Sequence, residues 1–282
     1  MEKLKNSIIG ILGIGYLGQN LSEFFKSLDK TITIIEIKKN ELEKIIDYKF
    51  DFFINCAGNS GDFRNNILET VDSNISLSTY LLKNLKVKYT YIYLSTSRVY
   101  GFVENENIIF NEDYIYNKSN LSLDYIYDGS KLLTESLLLH YANNLSYNII
   151  VLRLSNVYGN FKILDDTTLI KKIIRCYLEN KKISIPQNKY SKKNYIHIYD
   201  FMNAIKEILS EAKTSDIFNL GSEENLSLND ITEQLSLEAK FTNEKKLISI
   251  ITSNKFKNHF PNWKISNNFV QYTHELKRHT HE

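Results

Sequence analysis

Apolar residues along the first half of the chain fall into short runs separated by stretches of helical spacing. Ser7–Leu12 is an apolar run, and Leu17–Leu28 carries Leu17, Leu21, Phe24, Phe25 and Leu28 at intervals that predict an amphipathic helix. Thr31–Ile37 is a β-branched run bounded by charged and polar residues. Phe50–Cys56, Tyr89–Leu94 and Ile149–Leu154 read as further buried strands, with helical patterns over Asn74–Asn84 and Ser130–Asn143 between them. This βαβ rhythm predicts an α/β fold, a Rossmann-like doubly wound parallel sheet with helices on both faces. The second half is less regular. Ile163–Glu179 reads as a helix, Tyr195–Ile198 as a short strand and Asp200–Glu211 as a helix, followed beyond residue 222 by a small mixed segment. The expected organisation is a dinucleotide-binding domain over 1–158, to which 194–221 returns, and a smaller substrate-binding lobe built from 159–193 and 222–282.

Composition narrows the class. With 282 residues the chain can bury one large core and a subordinate lobe. Hydrophobic residues at 43% and charged residues at 24% exclude a disordered or collagen-like chain. A formal net charge of +2 supplies no field that would point to nucleic acid or an anionic membrane as partner. Cys56 and Cys176 are too few and too far apart for a disulfide framework or a four-ligand zinc site, so no metal is expected and a reducing cytoplasm is. Lys3 and Lys5 before the run Ile8–Gly18 give the N-terminus some look of a secretory signal. The run holds four glycines and leads into a helical pattern without a small-residue cleavage site, and it is too short to cross a bilayer, so a soluble protein is expected.

Gly13-Ile14-Gly15-Tyr16-Leu17-Gly18 follows a strand and opens a helix. In that setting the glycines permit a tight turn, close approach of a pyrophosphate and close helix packing, and the phosphates meet free N–H groups at the positive helix end. Alone, the string also fits a glycine-rich turn in an unrelated α/β protein. Glu36, 21 residues after Gly15 at the end of the second strand, is placed to accept both adenosine ribose hydroxyls and to repel a 2′-phosphate. That favours NAD, while Lys38 and Lys39 nearby keep NADP as an alternative. The third strand ends in Cys56-Ala57-Gly58, small residues suited to backbone running beside a cofactor, with Cys56 as a packed small hydrophobe.

Tyr127-Asp128-Gly129-Ser130-Lys131 places a phenol and an ammonium at i and i+4 on one helix face. A free phenol, with a pKa of about 10, is a poor base at neutral pH. A cation about 4 Å away favours its ionised form by about 4 kcal/mol at an effective dielectric of about 20, before desolvation. Such a tyrosine could exchange a proton with a sugar or alcohol hydroxyl during hydride transfer. A surface Tyr/Lys pair is the plainer reading, but the fourth strand runs into Ser95-Thr96-Ser97-Arg98-Val99-Tyr100-Gly101, putting hydroxyls at the carboxyl end of the sheet where ligands bind.

With these motifs in order, the sequence resembles the extended short-chain dehydrogenase/reductases, in particular the NAD-dependent nucleotide-sugar epimerase/dehydratase/reductase family. Gly13–Gly18, Asn55–Gly58, Asn74, Ser95–Gly101, Tyr127–Leu132, Arg153–Gly159, Asn194–Asp200 and Phe218–Gly221 carry the resemblance over nearly the whole chain. It implies that Thr96, Tyr127 and Lys131 form a catalytic triad. It further implies a cofactor site of Gly13, Gly15, Tyr16, Leu17, Gly18, Glu36, Cys56, Ala57, Gly58, Asn74, Ser95, Tyr127 and Lys131. Thr96, Ser97, Asn156 and Lys193 would contact the nucleotide-sugar, and the role would lie in carbohydrate biosynthesis such as that of cell-surface polysaccharide.

Three departures from the family pattern bear on activity. Leu12 replaces the first glycine of the commoner GxxGxxG turn. Ser97 and Arg98 replace the acidic pair of the dehydratases, which speaks against dehydration. Lys193 stands where an arginine often contacts phosphate, and it is a weaker bidentate partner. The readings left open are an NAD-dependent epimerase acting at a sugar carbon, expected to be C4, and an NAD(P)H-dependent reductase of a nucleotide-linked 4-keto-6-deoxy sugar, which the short segment after 222 favours. A non-catalytic dinucleotide sensor on the same fold is a third, with little reason to keep Thr96, Tyr127 and Lys131 together. Family members usually pair through a helix bundle, for which Asn74–Asn84 and Ser130–Asn143 could serve, and Leu132, Leu133, Leu137, Leu138 and Leu139 offer apolar surface either for a homodimer or for burial on two sides within the monomer.

Overall fold

The computed structural model describes residues 2–58, 63, 65–114, 125–161 and 167–279. The expected strand–helix alternation is present. In order, the first half comprises β1 (Ile8–Leu12), α1 (Tyr16–Leu28), β2 (Thr33–Ile37), the single turn α2 (Lys44–Asp47), β3 (Phe50–Asn55), α3 (Ile67–Val71), a π-helical turn over Asp72–Ser76 and α4 (Leu77–Asn84). Then come β4 (Val87–Thr96), a 3₁₀ turn over Ser97–Tyr100, α5 (Tyr125–Ala142), β5 (Asn148–Leu154) and β6 (Asn156–Tyr158). The second half holds α6 (Leu169–Leu178), β7 (Ile183–Ile185), β8 (Lys192–His197), α7 (Ile198–Glu211), β9 (Asp216–Leu220) and β10 (Asn225–Ser227). It ends with α8 (Leu228–Gln234), β11 (Ala239–Phe241), β12 (Ile248–Ser249), α9 (Asn254–His259) and α10 (Phe269–His279).

Six strands form one parallel sheet in the order β2-β1-β3-β4-β5-β9. The order reverses between β1 and β3, which opens a crevice at their carboxyl ends. Both faces are covered, so the strands are apolar almost throughout. One face packs Ile9, Ile11, Phe52, Ile54, Ile92, Ile150 and Leu152 against α1 and α7. The other packs Leu12, Phe53, Tyr91, Tyr93, Ile149 and Val151 against α4 and α5.

Two pieces fall across the expected division of the chain. β8, placed by sequence with the main domain, instead pairs with β6, β10 and β12 in a second sheet. Phe256, Phe260 and Trp263, placed in the smaller lobe, pack into the core under the main sheet, around Phe218. The smaller lobe has its own core, including Ile170, Ile173, Ile174, Ile185, Leu228 and Phe269. The helix expected over Ile163–Glu179 is found at Leu169–Leu178, and 163–166 lie outside the described residues. α5 begins at Tyr125, five residues before its expected start, which brings Tyr127 into the helix.

Candidate active site

The carboxyl ends of β1, β3, β4 and β5 open on a cleft of ≈ 680 Å³ whose far wall is supplied by α6 and β8. Gly13, Gly15, Tyr16, Leu17, Gly18, Cys56, Ala57, Gly58, Ser95, Thr96, Tyr127, Lys131, Asn156 and Lys193 all line it. The glycine turn is dictated by sterics. Gly13 has φ +88°, and a Cβ there would lie 2.6 Å from the Ala57 nitrogen; a Cβ on Gly18 would lie 2.2 Å from the Gly13 carbonyl oxygen. Gly15 is the N-cap of α1 without a side-chain cap, so the first N–H groups of the helix face the cleft end of the turn.

The turn is also tied to the smaller lobe. The Tyr16 hydroxyl donates to the Gly159 carbonyl at 2.5 Å, and the Asn160 amide donates to Asn20 Oδ1 at 2.5 Å. The Tyr16 ring packs on Phe161 with centroids 4.9 Å apart, and Lys171 Nζ lies 5.4 Å from the Tyr16 ring.

Four expected contacts are placed differently. Glu36 does not line the cleft. It shares a register position with Ile11 and so faces α1, where its Oε1 accepts from Ser22 Oγ at 2.5 Å and Lys26 Nζ at 2.6 Å. The Lys26 hydrogen bond, then that from Ser22, holds this carboxyl below its usual range. Ser97 is buried in the 3₁₀ turn, away from the cleft lining. Ser95 reaches the cleft, but its hydroxyl donates to the buried Glu135 carboxylate. Asn74 is fully buried behind the lining, where Nδ2 donates to Ser130 Oγ at 2.8 Å and Oδ1 has no partner. A Cβ placed on Gly58 would lie 3.2 Å from Lys131 Nζ and 3.5 Å from that Oδ1, so the three groups converge at the cleft floor.

Tyr127 stands at the start of α5 with its ring stacked on Phe63, centroids 4.6 Å apart. Burial pushes its phenol up to about 12, opposed by the charge of Arg98 and a hydrogen bond from Thr96, while Asp128 adds to the rise. The Arg98 guanidinium approaches the Tyr127 ring, its Cζ 5.7 Å from the centroid, a contact that the spacing of Tyr127 and Lys131 does not show. Lys131 turns to the strand instead, donating to the Leu94 carbonyl at 2.9 Å, with Nζ 4.7 Å from the Tyr93 ring. Burial pulls its ammonium down to about 8, with the charge of Glu135 opposing. Burial also pushes the Cys56 thiol up to about 12, so this cysteine is a protonated packing residue at neutral pH.

The depressed Lys131 has a consequence for stability. The unfolded lysine, with a pKa near its ordinary 10.5, binds a proton that the folded one has already lost, so folding gains as pH rises from about 8 to about 10.5. In cofactor-free protein, urea unfolding should show the wild type gaining stability relative to Lys131→Met between pH 7.5 and about 9.5. A constant difference across that window would mean that the amine is not buried in its charged form.

Two arginines to which sequence reasoning gave no place in the site lie close to Thr96, Tyr127 and Lys131. Arg98 donates through Nε to Asp128 Oδ1 at 3.1 Å and lies within 6 Å of the rings of Phe63, Phe102 and Tyr127. Below the site, Arg153 makes a two-pronged pair with Glu135 through Nε at 3.1 Å and Nη2 at 2.7 Å. Its Nη1 donates to the Tyr100 hydroxyl at 2.8 Å, which donates in turn to Asn219 Oδ1 at 2.8 Å. The visible signal for this network was an arginine inside the apolar strand Ile149–Leu154.

Comparison with known proteins places this geometry. The profile of the NAD dependent epimerase/dehydratase family matches residues 9–221, and the chain belongs to that family. It is 31% identical over 252 residues to the dTDP-D-glucose 4,6-dehydratase of Dictyostelium discoideum, covering 83% of this chain and 56% of that protein. It is 30% identical over 172 residues to the dTDP-4-dehydro-6-deoxyglucose reductase of Escherichia coli, covering 61% of this chain and 52% of that protein. The chain thus spans about half the length of these curated relatives. The fold matches the UDP-glucose 4-epimerase of Thermus thermophilus, solved with NAD, at a TM-score of 0.79 and 15% identity, covering 97% of this chain and 99% of that one. Among the described residues no helix is long and apolar enough to cross a membrane, and no group of three or more His, Cys, Asp or Glu could hold a metal ion.

Proposed function

We propose that this chain is an NAD-dependent nucleotide-sugar epimerase that works at a sugar carbon, C4 in our reading, with Tyr127 as acid and base. The observation that carries the reading is the convergence in one cleft of the glycine turn, Thr96, Tyr127 and Lys131. The residues present fit a dinucleotide. A Cβ on Gly13 or Gly18 would collide with backbone, and the orphaned Asn74 Oδ1 sits buried beside Lys131 at the cleft floor. Gly13–Gly18 would take the pyrophosphate on the α1 N-terminus, and Lys131 the nicotinamide ribose. When bound, the nicotinamide supplies the hydride acceptor and donor. Thr96 holds the reacting sugar oxygen by hydrogen bonding, and Tyr127 takes its proton and later returns it. Asn156, whose amide is fixed on the Asn194 carbonyl at 3.1 Å, and Lys193 on β8 would bind the nucleotide part.

Elimination of water is disfavoured here, because the positions that carry acids in the dehydratases hold the buried Ser97 and the cation Arg98. Similarity to the Escherichia coli reductase supports a second reading, an NAD(P)H-dependent reductase of a nucleotide-linked 4-keto-6-deoxy sugar. Lys39, which lines a recess beside the glycine turn and pairs with Glu69 at 3.2 Å, is a cation that could meet a 2′-phosphate there. The test is to denature freshly purified protein and assay the released dinucleotide. Retained NAD is expected from an enzyme that returns its hydride every cycle. An empty site that binds NADPH better than NADH would overturn the epimerase in favour of the reductase. The homodimer belongs to the same proposal, through α5 and the adjoining α3, which expose Ile126, Leu133, Tyr141, Ile67 and Leu68.

A further inference from the structure

A charged pair lies behind the cleft floor. Glu135 is buried on α5, one helical turn after Lys131. Its carboxylate accepts two prongs from Arg153 on β5 and a third bond from the Ser95 hydroxyl at the end of β4. Ser95 sits between Leu94, whose carbonyl takes Lys131 Nζ at 2.9 Å, and Thr96, and both Ser95 and Thr96 line the cleft. Arg153 is anchored in turn through Tyr100 to Asn219 on β9. An ion pair that only joined β5 to α5 would have no need of the third bond. That bond draws a cleft hydroxyl inward and ties the strand end bearing Thr96 to the helix bearing Tyr127 and Lys131.

The same carboxylate balances Lys131. The lysine is buried, with the Tyr93 ring of β4 4.7 Å from Nζ, Asn74 and Gly58 beside it, and Cys56 just after β3. Glu135 and the Cys56 thiol are the acidic groups whose charge bears on it. The thiol is protonated at neutral pH, which leaves Glu135 as the counter-charge.

We propose that Glu135 is a positioning residue of the active site: through the Ser95 hydroxyl it fixes the end of β4 against α5, and through its charge it supports Lys131 one turn away. The inference rests on the nucleotide-sugar reading above and adds to it a residue that touches neither sugar nor cofactor.

The test is the pH profile of kcat from about pH 6 to about pH 10, per NAD-loaded site, on whichever of UDP-glucose, UDP-glucuronate, dTDP-glucose and dTDP-4-keto-6-deoxyglucose (the last with NADPH) the wild type converts. Glu135→Gln keeps an acceptor for Ser95 and removes the charge. A buried ammonium without its carboxylate gives up its proton at lower pH, so the alkaline limb should move down by about one unit or more, with about a tenfold loss of kcat on that limb. Ser95→Ala cuts the tether and keeps the charge, and should lower kcat by about threefold or more with the limb unmoved. Because Glu135→Gln leaves Arg153 without its anion, Arg153→Met combined with Glu135→Gln is measured beside it, and the same shift is expected. A limb unmoved in either Glu135 variant that loads NAD would overturn the positioning role, reduce the pair to a structural one and leave the nucleotide-sugar reading standing. If neither loads NAD, Ser95→Ala decides, and a wild-type kcat in that variant would overturn the role. A wild type that binds NAD and converts none of these substrates would overturn both.

Discussion

Replacing Tyr127 with Phe is expected to lower kcat about 10³-fold, within the ~10²–10⁴ range of a lost general acid–base group, while NAD binding stays close to that of the wild type. The ring of Phe keeps the stack on Phe63 and the fill of a position only 6% exposed, so what the substitution removes is the hydroxyl between Thr96 and the substrate. In free energy this is about 4 kcal/mol of transition-state stabilisation. The measurement is single-turnover conversion of a nucleotide-sugar by wild type and variant at equal cofactor occupancy. A variant that retains a tenth or more of the wild-type rate would remove Tyr127 from the chemistry and leave its position as packing.

The second large effect concerns stability. Arg153→Met is expected to cost about 3–5 kcal/mol, because it leaves the Glu135 carboxylate, 2% exposed, without its cation in a dry interior. The Tyr100 hydroxyl loses the same donor, and the chain from Tyr100 to Asn219 is cut at its head. Urea denaturation followed by circular dichroism should show the midpoint fall, and Arg153→Met combined with Glu135→Leu should recover a large part of the loss. If the double variant is no more stable than the single one, the pair is not what holds β5 to α5 at this depth.

How much of this was legible in the sequence depended on how local each cause is. The glycine turn could be read because its requirements lie within six residues: a positive φ at Gly13 and the absence of a Cβ at Gly18 against Gly13's own carbonyl. Tyr127 and Lys131 could be found by helical spacing, whereas the approach of Arg98 to the Tyr127 ring could not. Arg98 reaches from the turn after β4 to Asp128 on α5, a tertiary contact with no counterpart in either segment alone. Glu36 was read in register with the glycines, but strand alternation turned it toward α1, where Ser22 and Lys26 take it up. Tyr195–Ile198 was recognisable as a strand, while nothing in its alternation specified that β6, β10 and β12 would be its partners. Phe256, Phe260 and Trp263 dock under the main sheet from α9 and from the turn that follows it, with Trp263 Nε1 donating to the Asp200 carbonyl at 2.9 Å, a tertiary contact that local spacing does not specify.

The two hydrogen bonds that run from the glycine turn to Gly159 and Asn160 join the phosphate-facing helix end to the lobe that carries α6 and β8. Tyr16 and Asn20 both belong to α1, the helix whose first N–H groups face the cleft at the glycine turn. The two ends of the cleft are therefore not independent pieces of chain: one pair of side chains ties the wall of one to the floor of the other.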